Sequence, residues 1–199
     1  MAINKKGGFT LIEIVIVLAI IAILAGILAP TLTRYVGDSK IRRAEGDVQR
    51  IAVAMGAFYS DVGEWPIWSS GSATTPGATK FKALQGIGDN PTLTGAGWPD
   101  FTTNASDITG IKDQLISNTP SYPTTGKRPW RGPYLDDIKT DPWGSKYVVN
   151  VEFVWPANVS GAKPVFVLSP GPDKEVDTAY SQTGPDLAVT DDDIVFRIK

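Results

Sequence analysis

The chain opens on an apolar run that has no polar face. Between Phe9 and Leu32 one side chain is charged, Glu13, and the stretch from Ile14 to Leu28 is apolar all round a helix. Such a helix is not an amphipathic surface helix, and about 20 apolar residues suffice to cross a bilayer. Residues 9–32 are therefore predicted to span a membrane. Past Thr31 the pattern changes. Ile41, Ala44, Val48, Ile51, Ala52, Met55, Phe58 and Tyr59 recur at helical spacing, while Arg42, Arg43, Asp47 and Arg50 fall off the stripe. That predicts an amphipathic segment over 33–60, continuing the same helix with one face on a core. Pro30 removes a backbone donor and its ring crowds the carbonyl of Gly26, so a bend or local melting is expected there.

Asp61 to Pro66 reads as the turn that ends the helix, and the rest of 61–199 as a globular head. The stretch 69–106 is rich in Gly, Ser, Thr and Pro with scattered aromatics, and predicts a long irregular surface segment. Asp107 to Ser117 predicts a short helix, with Ile108, Ile111 and Leu115 on one side. Tyr147 to Trp155, Pro164 to Ser169 and Ile194 to Ile198 alternate well enough for strands. Three short strands, read as antiparallel, would cover the apolar stripe of the long helix. The fold class is α+β.

Composition narrows the chemistry. The chain has no Cys and no His, which removes disulfides, thiol nucleophiles, imidazole bases and the common zinc sites. A non-enzymatic role is expected. The formal net charge of -2 and the absence of a concentrated basic face give no reason to expect a nucleic-acid partner. No phosphate-binding Gly-x-x-x-x-Gly-Lys-Ser/Thr loop is present. A cleaved secretory signal is the rival reading of the apolar run, but only Ala25 to Ala29 offers a weak cleavage site after it. Basic residues flank the run on both sides, Lys5 and Lys6 before it and Arg34, Lys40, Arg42 and Arg43 after it, so charge counting does not fix orientation.

The informative site precedes the run. Lys5-Lys6-Gly7-Gly8-Phe9-Thr10-Leu11-Ile12-Glu13 resembles the processing motif of type IV prepilins and type II secretion pseudopilins. The resemblance is strongest over residues 1 to 66. It implies a leader, 1–8, cut by a prepilin peptidase between Gly8 and Phe9, with methylation of the new amine. It also implies a pilin-like fold, in which a long amino-terminal helix packs on a small antiparallel carboxy-terminal sheet. Copies of the chain would assemble into a helical filament with minor pilin-like subunits, on a membrane platform driven by a separate motor. The precursor would cross the inner membrane once, with its head periplasmic or extracellular. Phe9, Glu13 and Pro30 are the expected assembly residues. A carboxylate within a bilayer is costly, by about 2.5–3.5 kcal/mol on insertion scales, and usually marks function. In a filament Glu13 could neutralise the Phe9 amine of a neighbour; the plainer reading is that it snorkels to the cytoplasmic interface. Pro30 with Gly26 and Gly37 would let a filament stretch, or would simply kink the helix near the membrane exit.

Further on, Gly132-Pro133-Tyr134-Leu135 and Asp141-Pro142-Trp143-Gly144 resemble the head of the major, G-type pseudopilin. Pro142 and Gly144 set a turn, and Trp130 and Trp143 are expected as core lids. Hard cations take six to eight oxygens, and acidic residues gather after the second strand. The G-type resemblance implies calcium in this loop, with Pro170, Asp173, Asp177, Asp191, Asp192 and Asp193 as candidate ligands. The loop departs from the family in its length and in Lys174, where Gly is usual. An acidic solvated loop is the alternative.

Two other readings remain open from the sequence. One is a surface pilin for adhesion, motility or DNA uptake, disfavoured by the missing Cys pair. The other is a membrane-tethered carbohydrate-binding domain using Trp65, Trp68, Trp98, Trp130, Trp143 and Trp155. Asp136 and Asp137 are adjacent and would not face each other across a glycosidic bond.

Overall fold

The structure, a computed structural model, describes residues 8–71, 78–103, 106–154, 163–182 and 186–198. Leader residues 1–7, parts of 69–106, and Trp155 lie outside the described residues. The chain divides into two compact units, Met1–Ser39 and Lys40–Lys199.

Helix α1, Leu11–Val62, contributes to both. In the first unit every described side chain from Phe9 to Leu32 is exposed, so this apolar surface awaits lipid or other protein. Helical structure continues through Pro30, and the Thr33 hydroxyl donates to the Pro30 carbonyl at 2.9 Å. The expected local melting is absent. A self-contained hydrogen-bond ladder and an unbroken apolar surface are what a bilayer demands of a spanning segment.

The second unit is the head. Its part of α1 buries Ala44, Val48, Ile51, Ala52, Ala54, Met55, Phe58 and Val62, the stripe that the periodicity predicted apart from its ends. Ile41 and Tyr59 stay exposed. Phe58 is fully buried between Tyr122 and Tyr134, with ring centroids 4.8 and 5.4 Å away. Burying a side chain of that size is worth about 1.5–3 kcal/mol.

The sheet departs from expectation in size and direction. Strands β1 (Ala83–Gln85), β3 (Ile108–Gly110), β4 (Val148–Asn150), β5 (Phe166–Ser169) and β7 (Ile194–Arg197) form five strands in the order β3-β1-β4-β5-β7. The β1–β3 pair is parallel and the other three are antiparallel. A second, two-stranded sheet pairs β2 (Thr92–Leu93) with β6 (Glu175–Val176) in parallel. β5 is buried at all four positions, which suits a near-continuous apolar central strand. The predicted helix over 107–117 opens instead as β3, and only α2, Ile111–Leu115, is helical. The predicted strand from Tyr147 closes after Asn150, where a 3-10 turn, Glu152–Val154, takes over.

The stretch 69–106 is not simply a surface loop. Ala83, Leu84, Trp98 and Phe101 belong to the buried core. Trp98 stacks edge-on to Tyr180 and Phe166, and its Nε1 donates to the Thr178 carbonyl at 2.8 Å. Trp68 is also buried, and Trp65 and Trp130 are partly buried against the same core. Among the described residues these rings are packing elements, not an exposed sugar platform. Trp130 is thus the lid the sequence predicted, while Trp143 is half-buried on its turn.

Candidate processing and metal-binding sites

The expected processing site lies at the start of α1. Gly8 and Phe9 are exposed and precede the first helical residue, so the bond between them is accessible. Thr10 caps the helix. Its amide donates to Glu13 Oε2 at 2.8 Å, its hydroxyl donates to the same oxygen at 2.7 Å, and the Glu13 amide returns to Thr10 Oγ1 at 3.4 Å. This reciprocal pattern is a capping box, signalled in sequence by Thr-x-x-Glu. Sequence reasoning missed Thr10, though its spacing from Glu13 was the cue. The box starts the helix immediately after the Gly8–Phe9 bond and holds one carboxylate oxygen. No described residue donates to the other, Oε1.

The Asp-Pro-Trp-Gly turn is organised by its carboxylate. Asp141 is buried; its Oδ1 accepts from the Trp143 and Ser145 amides at 3.0 and 2.7 Å, and its Oδ2 accepts from the Ser169 hydroxyl at 2.9 Å. One side chain thus closes the turn and ties it to the end of β5. Asp136 and Asp137 line a charged groove of about 590 Å³ with Arg43, Asp47, Arg50 and Lys139. Asp47 is its hub, with Arg43 at 3.6 Å, Arg50 at 3.4 Å and the Tyr147 hydroxyl at 3.0 Å. Arg43 and Arg50 also donate to the Thr140 and Asp137 carbonyls at 3.3 and 3.5 Å, which fastens α1 to the 136–141 loop.

The acidic loop gathers four of its predicted candidates. Asp173, Asp177, Asp191 and Asp192 each offer an oxygen, all within 4.8 Å of one another. Two oxygens bound at about 2.4 Å to one ion can be no further apart than about 4.8 Å, so the spread fits one hard cation. The loop fold produces the cluster. Gly171 takes a φ of +77°, and a Cβ there would lie 2.5 Å from the Asp192 carbonyl, so only glycine lets the two turns approach. Lys174 has a φ of 66°, the left-handed region in which a glycine is easiest. Here the bend is taken by a lysine, whose Nζ reaches Asp89 at 3.6 Å.

Of the other two candidates, Pro170 would offer a cation its backbone carbonyl, a separate matter from the carboxylate group. Pro170 is buried at the entrance to the turn. Asp193 stands outside the four-carboxylate group: it is 6% exposed, and its Oδ2 accepts from the Asp177 and Thr178 amides at 3.0 and 2.7 Å. Burial pushes its carboxyl up to about 6, and burial also raises that of Asp192. Oδ1 of Asp192 and Oδ1 of Asp193 are buried without a hydrogen-bond partner. An orphaned buried carboxylate oxygen is costly unless a cation or donor meets it. The donor set fits calcium.

The profile of the prokaryotic N-terminal methylation motif matches residues 3–29. Type IV major alpha-pilin of Moraxella bovis is 39% identical over 72 residues, 36% of this chain and 45% of that protein. Type II secretion system core protein G of Pseudomonas aeruginosa is 34% identical over 68 residues, 34% of this chain and 48% of that protein. In both matches the chain spans less than half of the relative's length. Core protein G of Escherichia coli is 25% identical over 177 residues, 89% of either chain. No solved structure gives a significant match. The chain carries the amino-terminal methylation motif ahead of an apolar helix long enough to cross a membrane, an arrangement that fits a membrane-anchored precursor like the type IV pilins it resembles. Its relatives include both type IV pilins and core protein G of type II secretion systems.

Proposed function

We propose that the chain is a non-catalytic structural subunit of a type IV pilus-like filament, the major pseudopilin of a type II protein secretion system. The observation that carries this reading is the likeness to core protein G along 89% of the chain, which includes the head and not only the helix. The Asp141-centred turn and the acidic cluster lie in that head. A prepilin peptidase would cut between Gly8 and Phe9 and the new amine would be methylated. The head would then lie on the periplasmic side, and copies would add to a filament at a membrane platform powered by a separate motor. Intact mass of the protein extracted from its native membrane tests the class: loss of residues 1–8 with one methyl group on Phe9 is expected. An uncut chain, or a cut after the apolar run, would sink it. Deletion of the gene separates the two filament readings. Secreted proteins held back in the periplasm mark a pseudopilin, and loss of surface fibres with secretion intact marks a pilin.

Calcium at Asp173, Asp177, Asp191 and Asp192 would supply charge neutralisation, letting four carboxylates share one small volume. Ordering this loop would fix the turn that leads into β7. Chelation is expected to lower the Tm of the full chain in detergent. At calcium about a hundredfold above its Kd, the lost stabilisation is about 2.7 kcal/mol. Identical melts with and without chelator would remove calcium from the account.

A further inference from the structure

The irregular stretch 69–106 contributes a segment that lies along the acidic loop. The Thr92 amide donates to the Lys174 carbonyl at 3.0 Å, and the Thr94 and Gly95 amides both donate to the Val176 carbonyl, at 3.1 and 2.6 Å. Beyond them the Tyr180 amide donates to the Ala96 carbonyl at 3.0 Å. The approach is close by construction. A Cβ on Gly95 would lie 2.6 Å from the Thr178 carbonyl oxygen and 2.8 Å from that of Asp177, so any larger residue would push the segment away.

This approach puts the Thr94 hydroxyl against the cluster. Its Oγ1 contacts Asp177 Oδ1 in a short hydrogen bond and sits 2.9 Å from the Val176 carbonyl. A hydroxyl has one proton, and the charged carboxylate is the stronger acceptor. Asp177 is thereby held twice, at its amide by Asp193 and at its side chain by Thr94. Hydrogen bonds from outside the ligand shell fix the aim of a ligating carboxylate, and their loss typically weakens metal binding by about ten- to a hundredfold.

We propose that Thr94 is a positioning residue for the cation, aiming the Asp177 carboxylate from a segment that this chain lays beside its acidic loop. The inference rests on the calcium reading above and adds to it the segment 92–98 as a working part of the site. Sequence reasoning gave that segment no role at the acidic loop, because nothing in Thr92 to Trp98 has the pattern of a metal loop.

The test is calorimetric titration of calcium into the full chain in detergent, stripped of metal, comparing the unaltered protein with Thr94→Val and Thr94→Ser. Valine keeps the shape and removes the hydroxyl, and should raise Kd about ten- to a hundredfold, while serine stays within about threefold of the unaltered protein. Thr94→Val binding as tightly as the unaltered chain overturns the inference, as does serine binding no better than valine. No calcium binding by the unaltered chain overturns the metal reading and this one with it. Amide exchange of the unaltered chain decides the matter should Thr94→Val not fold. Calcium must then slow exchange at Thr94 and Gly95 as well as in 173–178, and slowing confined to the acidic loop overturns the proposal.

Discussion

Glu13→Gln yields a subunit that is inserted and processed as usual and that fails to enter filaments. The expectation follows from two jobs, one that the structure gives the side chain and one that the proposed filament would give it. Its first is local: Oε2 takes both donors of Thr10 and starts α1. Glutamine serves at that position of a capping box about as well as glutamate, so the helix and its insertion survive. Its second job needs charge. On the proposed processing the Phe9 amine would be a cation at the edge of the bilayer, and in a packed filament Oε1 of a neighbouring Glu13 would be the group to meet it.

Removing one partner from a buried ion pair costs about 3–5 kcal/mol, because the other charge is left uncompensated. Filament yield should therefore fall about a hundredfold or more, while intact mass still reports a cut and methylated chain. Glu13→Ala loses both jobs and should also reduce the membrane-inserted pool. The readout is subunit in the sheared filament fraction against subunit in the membrane. Glutamine filaments at normal yield would return Glu13 to a plain snorkelling residue with a capping role.

What could be read in advance followed from repetition. The apolar run and the helical stripe each repeat a signal over many residues, and α1 ends at Val62, close to the predicted turn. Ile41 and Tyr59 are expected on the stripe and are exposed: Ile41 precedes its first buried residue, Ala44, and Tyr59 flanks the buried face and stacks on Trp65 instead. The small strands were less legible. β1 has three residues and β2 two, too few for a period to emerge from a Gly- and Thr-rich background. The parallel β1–β3 pair was missed for a related reason: Ile108, Ile111 and Leu115 suit a helix by spacing, yet the first of them pairs with Ala83. The acidic cluster was legible as composition, but its membership depended on the fold. Asp193 is buried with its Oδ2 on two backbone amides, whereas its neighbour Asp192 is half-buried and takes one, a distinction no residue pattern carries. Thr94 is the extreme case, 83 residues from the carboxylate it touches.

Asp141→Ala should be the most damaging single change in the head. The carboxylate is 2% exposed and satisfies two amides and a hydroxyl from two separate stretches of chain. Alanine leaves all three donors buried, and water has no ready path to replace the lost acceptor. Each orphaned donor costs about 1–3 kcal/mol; summed with some relaxation, a loss of about 3–5 kcal/mol is expected. For a domain of this size one kcal/mol moves Tm by about 2–4 °C, so the full chain in detergent should melt about 10 °C lower. Asp141→Asn separates charge from geometry. Its amide oxygen can keep the two backbone donors, while its NH2 replaces Oδ2 opposite Ser169, whose hydroxyl can turn to accept. About a third of the alanine effect should remain. The drop must persist in chelator, because Asp141 lies outside the four-carboxylate group, whereas Asp177→Asn should lose its effect once calcium is removed. An Asp141→Ala protein melting with the unaltered chain would mean that the Pro142 and Gly144 backbone preferences alone hold the turn. The tie to β5 would then be incidental.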